Sequence, residues 1–516
     1  MSNFRYLFQK IVFFVLISFT CYSQKSKPPV FVSKVYNDMF SVMDNGQTIK
    51  PRIFLSDDNL EVVSFYPLDN EIRIGKKFVT LLRNFKKDSC NALAHVLGHE
   101  LAHVLLQQND FIKNVGSGYA SEGFNTKLKK IQRTLKDSVF ERQADEYSTL
   151  YAHIAGYKTS QIGEQLLDSI YHDFNLKDSE LTKYPTLEDR KKIVRLTSEK
   201  MNTLCLLYEH AFYALIHKNF DLSIAMYSAI IQEKFTSREI YNNLALAYTL
   251  KALESFSEDI FNNDYPFEFE FETNLKTIER SLDGDDPDEL LEEAIRLYDL
   301  AILKNKTYYK SYLNKAITEV LLKRYDDAKI TLSYLIKSND SFLLGKKEIL
   351  EIIIERMNGS KEAALTRMKV LALNDEPIAQ KNVNKWIEVN KEKTVIPVDN
   401  LFSLLFNSCN FNTSLPEAKI AGDKILSKLI DKNKFKLKIL EDKDYKIYSW
   451  SYTIGESKPK IEICELKNIS NSSINLESIK EENKKIFTTQ NRKIIIFEEG
   501  IVILKDNNIE KIIKIR

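Results

Sequence analysis

The run Ala92-Leu93-Ala94-His95-Val96-Leu97-Gly98-His99-Glu100-Leu101-Ala102-His103-Val104-Leu105-Leu106 decides how the rest of this chain is read. Its apolar density, with Asp88 or Ser89 available as N-cap, predicts one long buried helix over Asp88–Gln107. Residues four apart on a helix share a face about 6 Å apart, so the imidazoles of His99 and His103 reach one metal ion. Glu100 stands beside them as a general base for water. The chain has only 7 histidines, and the product of residue frequencies yields such a pattern by chance on the order of one time in a hundred. The pattern predicts a zinc-dependent peptidase.

Two histidines do not complete such a site. A catalytic zinc takes three protein ligands and keeps one position open. A second helix is predicted from Leu135 to Ala155, stopped by Gly156 as a C-terminal cap, and it carries Glu141-Arg142-Gln143-Ala144-Asp145. Glu141 and Asp145 share a face, which lets one carboxylate bind metal while the other fixes a ligand histidine. An acidic pair on a helix is by itself most often a solvated face, and the preceding motif raises the functional alternative. Glu141 is the expected third ligand, for one zinc ion per chain. His95 lies on the same face four residues before His99, but some 12 Å from His103 along the axis, too far to share a tetrahedral ion. His153, His172, His210 and His217 have no partner spacing and read as surface or core residues.

The 516 residues imply two to four domains, and a net charge of +2 carries no nucleic-acid footprint and no strong attraction to a membrane surface. Arg5 and Lys10 flank the apolar segment Ile11 to Phe19, followed by Cys21-Tyr22-Ser23, which predicts a signal peptide over 1–23 and a mature chain from Gln24. The segment is short for a bilayer span of roughly 20 residues, so cleavage is expected and no integral membrane domain remains. Cys90, Cys205, Cys409 and Cys464 are then left without zinc-finger or scaffold spacing, and buried free thiols are expected, although Cys409 and Cys464 share one region and can bridge in an oxidising compartment.

A first domain is expected over 24–200. Val35 to Met43 is helix-like, Glu71-Ile72-Arg73-Ile74 alternates as a half-buried strand, and the glycine-rich stretch Asn109 to Lys127 is a loop, either a lid or a plain connection. From 201 to 392 amphipathic helices recur in pairs. Phe220 to Ile231 aligns with Tyr325 to Ile336, each an aromatic residue with a small one three positions on, and Tyr241-Asn242-Asn243-Leu244-Ala245 aligns with Tyr312-Leu313-Asn314-Lys315-Ala316. These segments, and Glu292 to Tyr298, resemble tetratricopeptide repeats, which bind protein segments. An acidic insertion at 254–288 interrupts them. Beyond 393 a small α+β module of unassigned role is expected, with β-like runs at 446–452, 460–466 and 493–504.

His99-Glu100-Leu101-Ala102-His103, Glu141-Arg142-Gln143-Ala144-Asp145 and Ala155-Gly156-Tyr157 together resemble the HtpX, Oma and BepA-type zinc metallopeptidases over about residues 30 to 200. The added repeats are similar to the periplasmic BepA-like branch. The resemblance implies Glu141 as third zinc ligand and Asp145 as the group orienting a ligand histidine. It implies that Val63 to Ile72 is the edge strand on which a substrate peptide pairs, with Asn70, Glu71 and Ile72 in contact, although Leu68-Asp69-Asn70 replaces the usual glycine-rich turn. Tyr184 to Arg190 resembles the family's His-Pro segment ending in Arg. Tyr184 stands where histidine is common and is a candidate hydrogen-bond donor to the oxyanion; Arg190 is either a transition-state stabiliser or a salt-bridge partner.

The expected architecture is mainly α with α+β parts: a zincin-like domain, a tetratricopeptide-type α-solenoid and the C-terminal module. The expected activity is that of an exported zinc metalloendopeptidase of the periplasm or cell envelope of a bacterium, acting on polypeptides in protein quality control. The alternative is a repeat-based adaptor or chaperone with a latent peptidase domain.

Overall fold

A computed structural model describes residues 26–106, 125–176, 186–255, 286–373 and 377–387, together with strands between 435 and 515. The chain is mainly helical and divides into two compact units, Met1–Cys205 and Leu206–Arg516.

In the first unit, helix α1 (Val30–Met43) buries Val32, Val35, Tyr36, Met39, Phe40, Val42 and Met43, the spacing of one apolar stripe. Strands β1 (Arg52–Ser56), β2 (Val63–Tyr66) and β3 (Glu71–Gly75) form a sheet in the order β1-β3-β2, with β3 parallel to β1 and antiparallel to β2. Gly75 ends β3 because a Cβ there would lie 1.8 Å from the Glu61 carbonyl oxygen. Helix α2 (Lys76–Leu81) and a 3-10 turn (Leu82–Asp88) lead into α3 (Ser89–Leu105), the predicted long helix. Asp88 occupies the N-cap position without a side-chain cap: its carboxylate accepts from Asn91 Nδ2 at 2.9 Å. The Ser89 hydroxyl donates to the carbonyls of Leu82 and Lys86.

Leu93, Leu97 and Leu101 of α3 are fully buried, each worth about 1.5–3 kcal/mol. Helix α4 (Asn125–Ile154) packs on α3 and begins earlier than the periodicity suggested. It ends as expected at Gly156 (φ 91), where the Gly156 N–H donates to the His153 carbonyl and the Tyr157 N–H to the Ala152 carbonyl. The α3–α4 crossing is tight at Gly98, where a Cβ would lie 2.6 Å from Ser148 Oγ and 2.7 Å from Met39 Cε. Helix α5 (Gly163–Asp173) follows, then α6 (Leu187–Ile216), whose first half belongs to this unit. The expected loop at 109–127 falls mainly outside the described residues, as do the expected signal segment 1–23 and Tyr184.

The second unit continues from the end of α6 with helices α7 (Phe220–Gln232), α8 (Arg238–Ser255), α9 (Pro287–Lys304), α10 (Tyr309–Leu321), α11 (Tyr325–Ser333), α12 (Ser341–Met357), α13 (Lys361–Leu373) and α14 (Pro377–Trp386). Helices adjacent in sequence pack on one another. The small residues aligned in sequence, Ser223 of α7 and Ala328 of α11, are both fully buried, and the Ser223 hydroxyl donates to the Ala211 carbonyl. Asn242 of α8 accepts from Ser311 and Asn314 of α10, a buried link between helices of successive pairs. Helix α9 starts on Asp286, whose side chain accepts from the Asp288 N–H, with Pro287 at the first helical position. Residues 256–285, most of the expected insertion, lie outside the described residues.

Beyond 434 the described residues are all strand: β4 (Phe435–Glu441), β5 (Tyr445–Tyr452), β6 (Lys460–Leu466), β7 (Lys485–Thr488), β8 (Arg492–Phe497), β9 (Gly500–Lys505) and β10 (Asn508–Ile515). They form one antiparallel sheet in the order β4-β5-β6-β10-β9-β8-β7. The run expected at 493–504 is two paired strands, β8 and β9. Trp450 of β5 is fully buried and donates from Nε1 to His210 Nδ1 of α6 at 2.6 Å, so His210 is a core residue. Cys464 of β6 is disulfide-bonded, which corrects the expectation of free thiols there; Cys90 and Cys205 are free. Pairing depends on how the folded chain brings two sulfurs together, and spacing along the chain carries no record of that. Among the described residues no helix is long and apolar enough to cross a membrane.

Candidate metal centre

The helical repeat of α3 sets His99 and His103 one turn apart, with their Nε2 atoms 3.0 Å from each other and their rings edge to face. Helix α4 brings Glu141 against both: Oε2 lies 3.4 Å from His99 Nε2, and Oε1 lies 3.5 Å from His103 Nε2. His99, His103 and Glu141 are the group that can hold a metal ion among the described residues. Four donors about 2.05 Å from a tetrahedral ion stand about 3.3 Å from one another, and the two imidazole nitrogens are 3.0 Å apart with one Glu141 oxygen 3.4 Å from His99 and the other 3.5 Å from His103.

Asp145, one turn beyond Glu141 and 1% exposed, accepts from His99 Nδ1 at 2.8 Å. When His99 is neutral, as a metal ligand must be, that bond favours the Nδ1–H tautomer and leaves Nε2 facing Glu141. Arg190, in the first turn of α6, donates to Glu141 Oε2 and holds its other amino group 3.7 Å from Asp145 Oδ1. Its guanidinium is therefore engaged by two carboxylates, the salt-bridge alternative of the two expected for it. Of the two residues offered as transition-state stabilisers, Tyr184 is outside the described residues.

The charges act strongly on one another. Burial opposes a charge on His99, but Asp145 and Glu141 outweigh it and raise the pKa to about 10 in the metal-free protein. Burial likewise works against ionised Glu141 and Asp145, yet His99 and Arg190 hold both carboxyls well below their usual range. Burial pushes the Glu100 carboxyl up, with His99 and His103 offsetting part of the rise. His95 is buried outside the donor group, and burial lowers its pKa to about 4.

Glu100 is also bound to the sheet, accepting from the backbone N–H of Phe65 in β2. The Gly75 N–H donates to the Val62 carbonyl. Alternation along the antiparallel pair then turns the amide groups of Val63 and Phe65 away from β3. The expectation for Asn70, Glu71 and Ile72 is corrected here. Asn70 sits in the turn at φ 49, and Glu71 and Ile72 lie in β3, the central strand, paired to β1 and β2. The Glu71 carboxylate is taken by Arg52 and Arg73 on the sheet. Among the described residues the sheet edge beside Glu100 is β2, because β1 lies alongside β3 in a parallel pairing that no local pattern announces. Phe65 was thus missed as a site residue; its contribution is a backbone N–H, which residue type does not signal.

No family model and no curated protein matches this chain.

Proposed function

We propose that this protein is a zinc metalloendopeptidase with a zincin-like catalytic unit related to the HtpX, Oma and BepA-type enzymes, followed by a tetratricopeptide-type solenoid. The observation that carries this reading is the convergence of His99, His103 and Glu141, whose donor atoms lie within 4.8 Å of one another, close enough to share one ion. Zinc held there supplies a Lewis acid that lowers the pKa of water towards 7 and polarises a carbonyl.

The remaining chemistry belongs to the chain. Glu100, with its proton affinity raised by burial, takes the proton of the attacking water and passes it to the leaving amine. Asp145 keeps His99 in the ligand tautomer, and Arg190 keeps Glu141 aligned and its charge compensated. A substrate strand adds to the outer edge of β2, using the outward N–H and carbonyl of Val63 and the outward carbonyl of Phe65, whose N–H is held by Glu100. The disulfide at Cys464 supports export to an oxidising compartment, the periplasm or envelope, where unfolded polypeptides are the proposed substrates.

Purified protein is expected to hold near one zinc per chain and to cleave an unfolded test protein. Glu100→Gln should abolish cleavage and keep the metal; activity surviving that change overturns the mechanism. The size of the second unit favours a second reading, an adaptor with a latent peptidase. Pull-down with Glu100→Gln separates the two: trapped proteins that wild type cleaves support the peptidase, and stoichiometric partners that wild type never cleaves support the adaptor.

A further inference from the structure

Behind the metal centre two deeply buried polar atoms have no hydrogen-bond partner, His95 Nδ1 and Asp145 Oδ2. His95 is 8% exposed and Asp145 1%. An unpaired polar atom in such a place costs about 1–3 kcal/mol, and these two are complementary, since an imidazole N–H donates and a carboxylate oxygen accepts.

They also share a location. The Ser148 hydroxyl of α4 donates to the His95 carbonyl of α3 at 2.6 Å, and Asp145 lies three residues before Ser148, on the same helix face. Asp145 is the charged group acting most strongly on the His95 ring. Gly163 packs by the Nε2 end of the ring: a Cβ there would stand in ordinary contact 3.6 Å from His95 Nε2, and it is Val194 Cγ1, at 2.6 Å, that it would strike. An imidazole thus occupies a helix interface that an apolar side chain would otherwise fill, four residues before a ligand histidine.

We propose that His95 Nδ1–H donates to Asp145 Oδ2, directly or through one water, so that Asp145 is held from both sides and fixes the ring of His99. His95 is then a positioning residue acting through Asp145. The inference rests on the metal-site reading above and makes a claim of its own, that metal affinity depends on a donor at the Nδ1 position of residue 95.

The test measures zinc affinity by competition with a chromophoric chelator, alongside the unfolding midpoint of each metal-free protein. His95→Leu removes the donor and His95→Asn keeps an N–H near the Nδ1 position, whereas His95→Gln fills the space with its amide near Nε2. Loss of a group that orients a ligand weakens metal binding by roughly 10- to 100-fold. That loss is expected for His95→Leu and His95→Gln, with His95→Asn close to wild type. In an Asp145→Asn background, His95→Leu should add little further loss, because the two residues act as one unit. If His95→Leu or His95→Gln binds zinc as tightly as wild type, if His95→Asn loses as much as they do, or if the Asp145→Asn and His95→Leu losses add, the inference is overturned and the metal site stands. A wild-type protein that binds no zinc overturns both. Should His95→Leu fail to fold, the contrast between His95→Asn and His95→Gln decides alone.

Discussion

Replacing Arg190 with methionine should destabilise the metal-free protein strongly, destabilise the zinc-loaded protein little, and tighten zinc binding. The guanidinium faces Glu141 and Asp145, and the three side chains are 13%, 18% and 1% exposed. In the metal-free protein protonated His99 and Arg190 together balance the two carboxylates; without Arg190 one buried negative charge is left uncompensated. Breaking a buried pair in this way costs about 3–5 kcal/mol. For a unit of this size that is on the order of 10 °C in the unfolding midpoint. With zinc in place, two positive charges face the same two carboxylates, and the loss should fall to about 1–2 kcal/mol. The difference of about 2–3 kcal/mol appears as zinc binding tightened roughly 30- to 100-fold. Thermal unfolding with and without zinc, combined with chelator competition, reads both quantities. Equal destabilisation of the two states, or weaker zinc binding, would refute this account of Arg190 and favour a role in holding Glu141 in shape.

Because His99 carries a proton up to a pKa of about 10 in the metal-free protein, zinc must displace it; affinity should rise about tenfold per pH unit from about 7 to 10 and then level off, as titration calorimetry across pH can read. The same group stabilises the metal-free fold below its ordinary pKa of about 6.5, and that contribution should be lost as pH rises through 10. Glu141 and Asp145, with depressed pKa values, contribute above their ordinary range near 4, and their contribution should be lost as pH falls below it; unfolding midpoints across pH check both. Gly98→Ala places a methyl 2.6 Å from Ser148 Oγ, so α3 and α4 must separate; a loss of about 1–3 kcal/mol with weakened zinc binding is expected. Trp450→Ala should cost about 3–5 kcal/mol in the second unit, through the lost side chain and the lost bond to His210, with zinc content unchanged.

The pair His99 and His103 was legible because a helix converts a spacing of four into a shared face, and Glu141 and Asp145 were legible for the same reason on a second helix. The end of α1 at Met43, the extents of α3 and β3, the stop at Gly156 and the strands at 446–452 and 460–466 also follow from local patterns of period 3.6 or 2, whereas α1 begins at Val30, five residues before the stretch read as helix-like. The central place of β3 was not legible, because the alternation in Glu71 to Ile74 reports a strand but not its neighbours. The parallel partner β1 makes β3 central and leaves β2 at the edge. The role of Arg190 was left between two alternatives, since nothing within α6 states which carboxylates await it on α4.

Residue types and their helical spacing were enough to single out His99, His103 and Glu141 as a group that can hold a metal ion, Glu100 beside them and the helices that follow. Tertiary structure alone decided the approach of α4 to α3 through Gly98, the Asp145 bond that selects the tautomer of His99, the clasp of Arg190, the Phe65 amide on Glu100, the sheet order and the disulfide at Cys464. Each of these joins groups distant along the chain, and a local pattern encodes the geometry of its own segment only, whereas contact between segments is settled by packing.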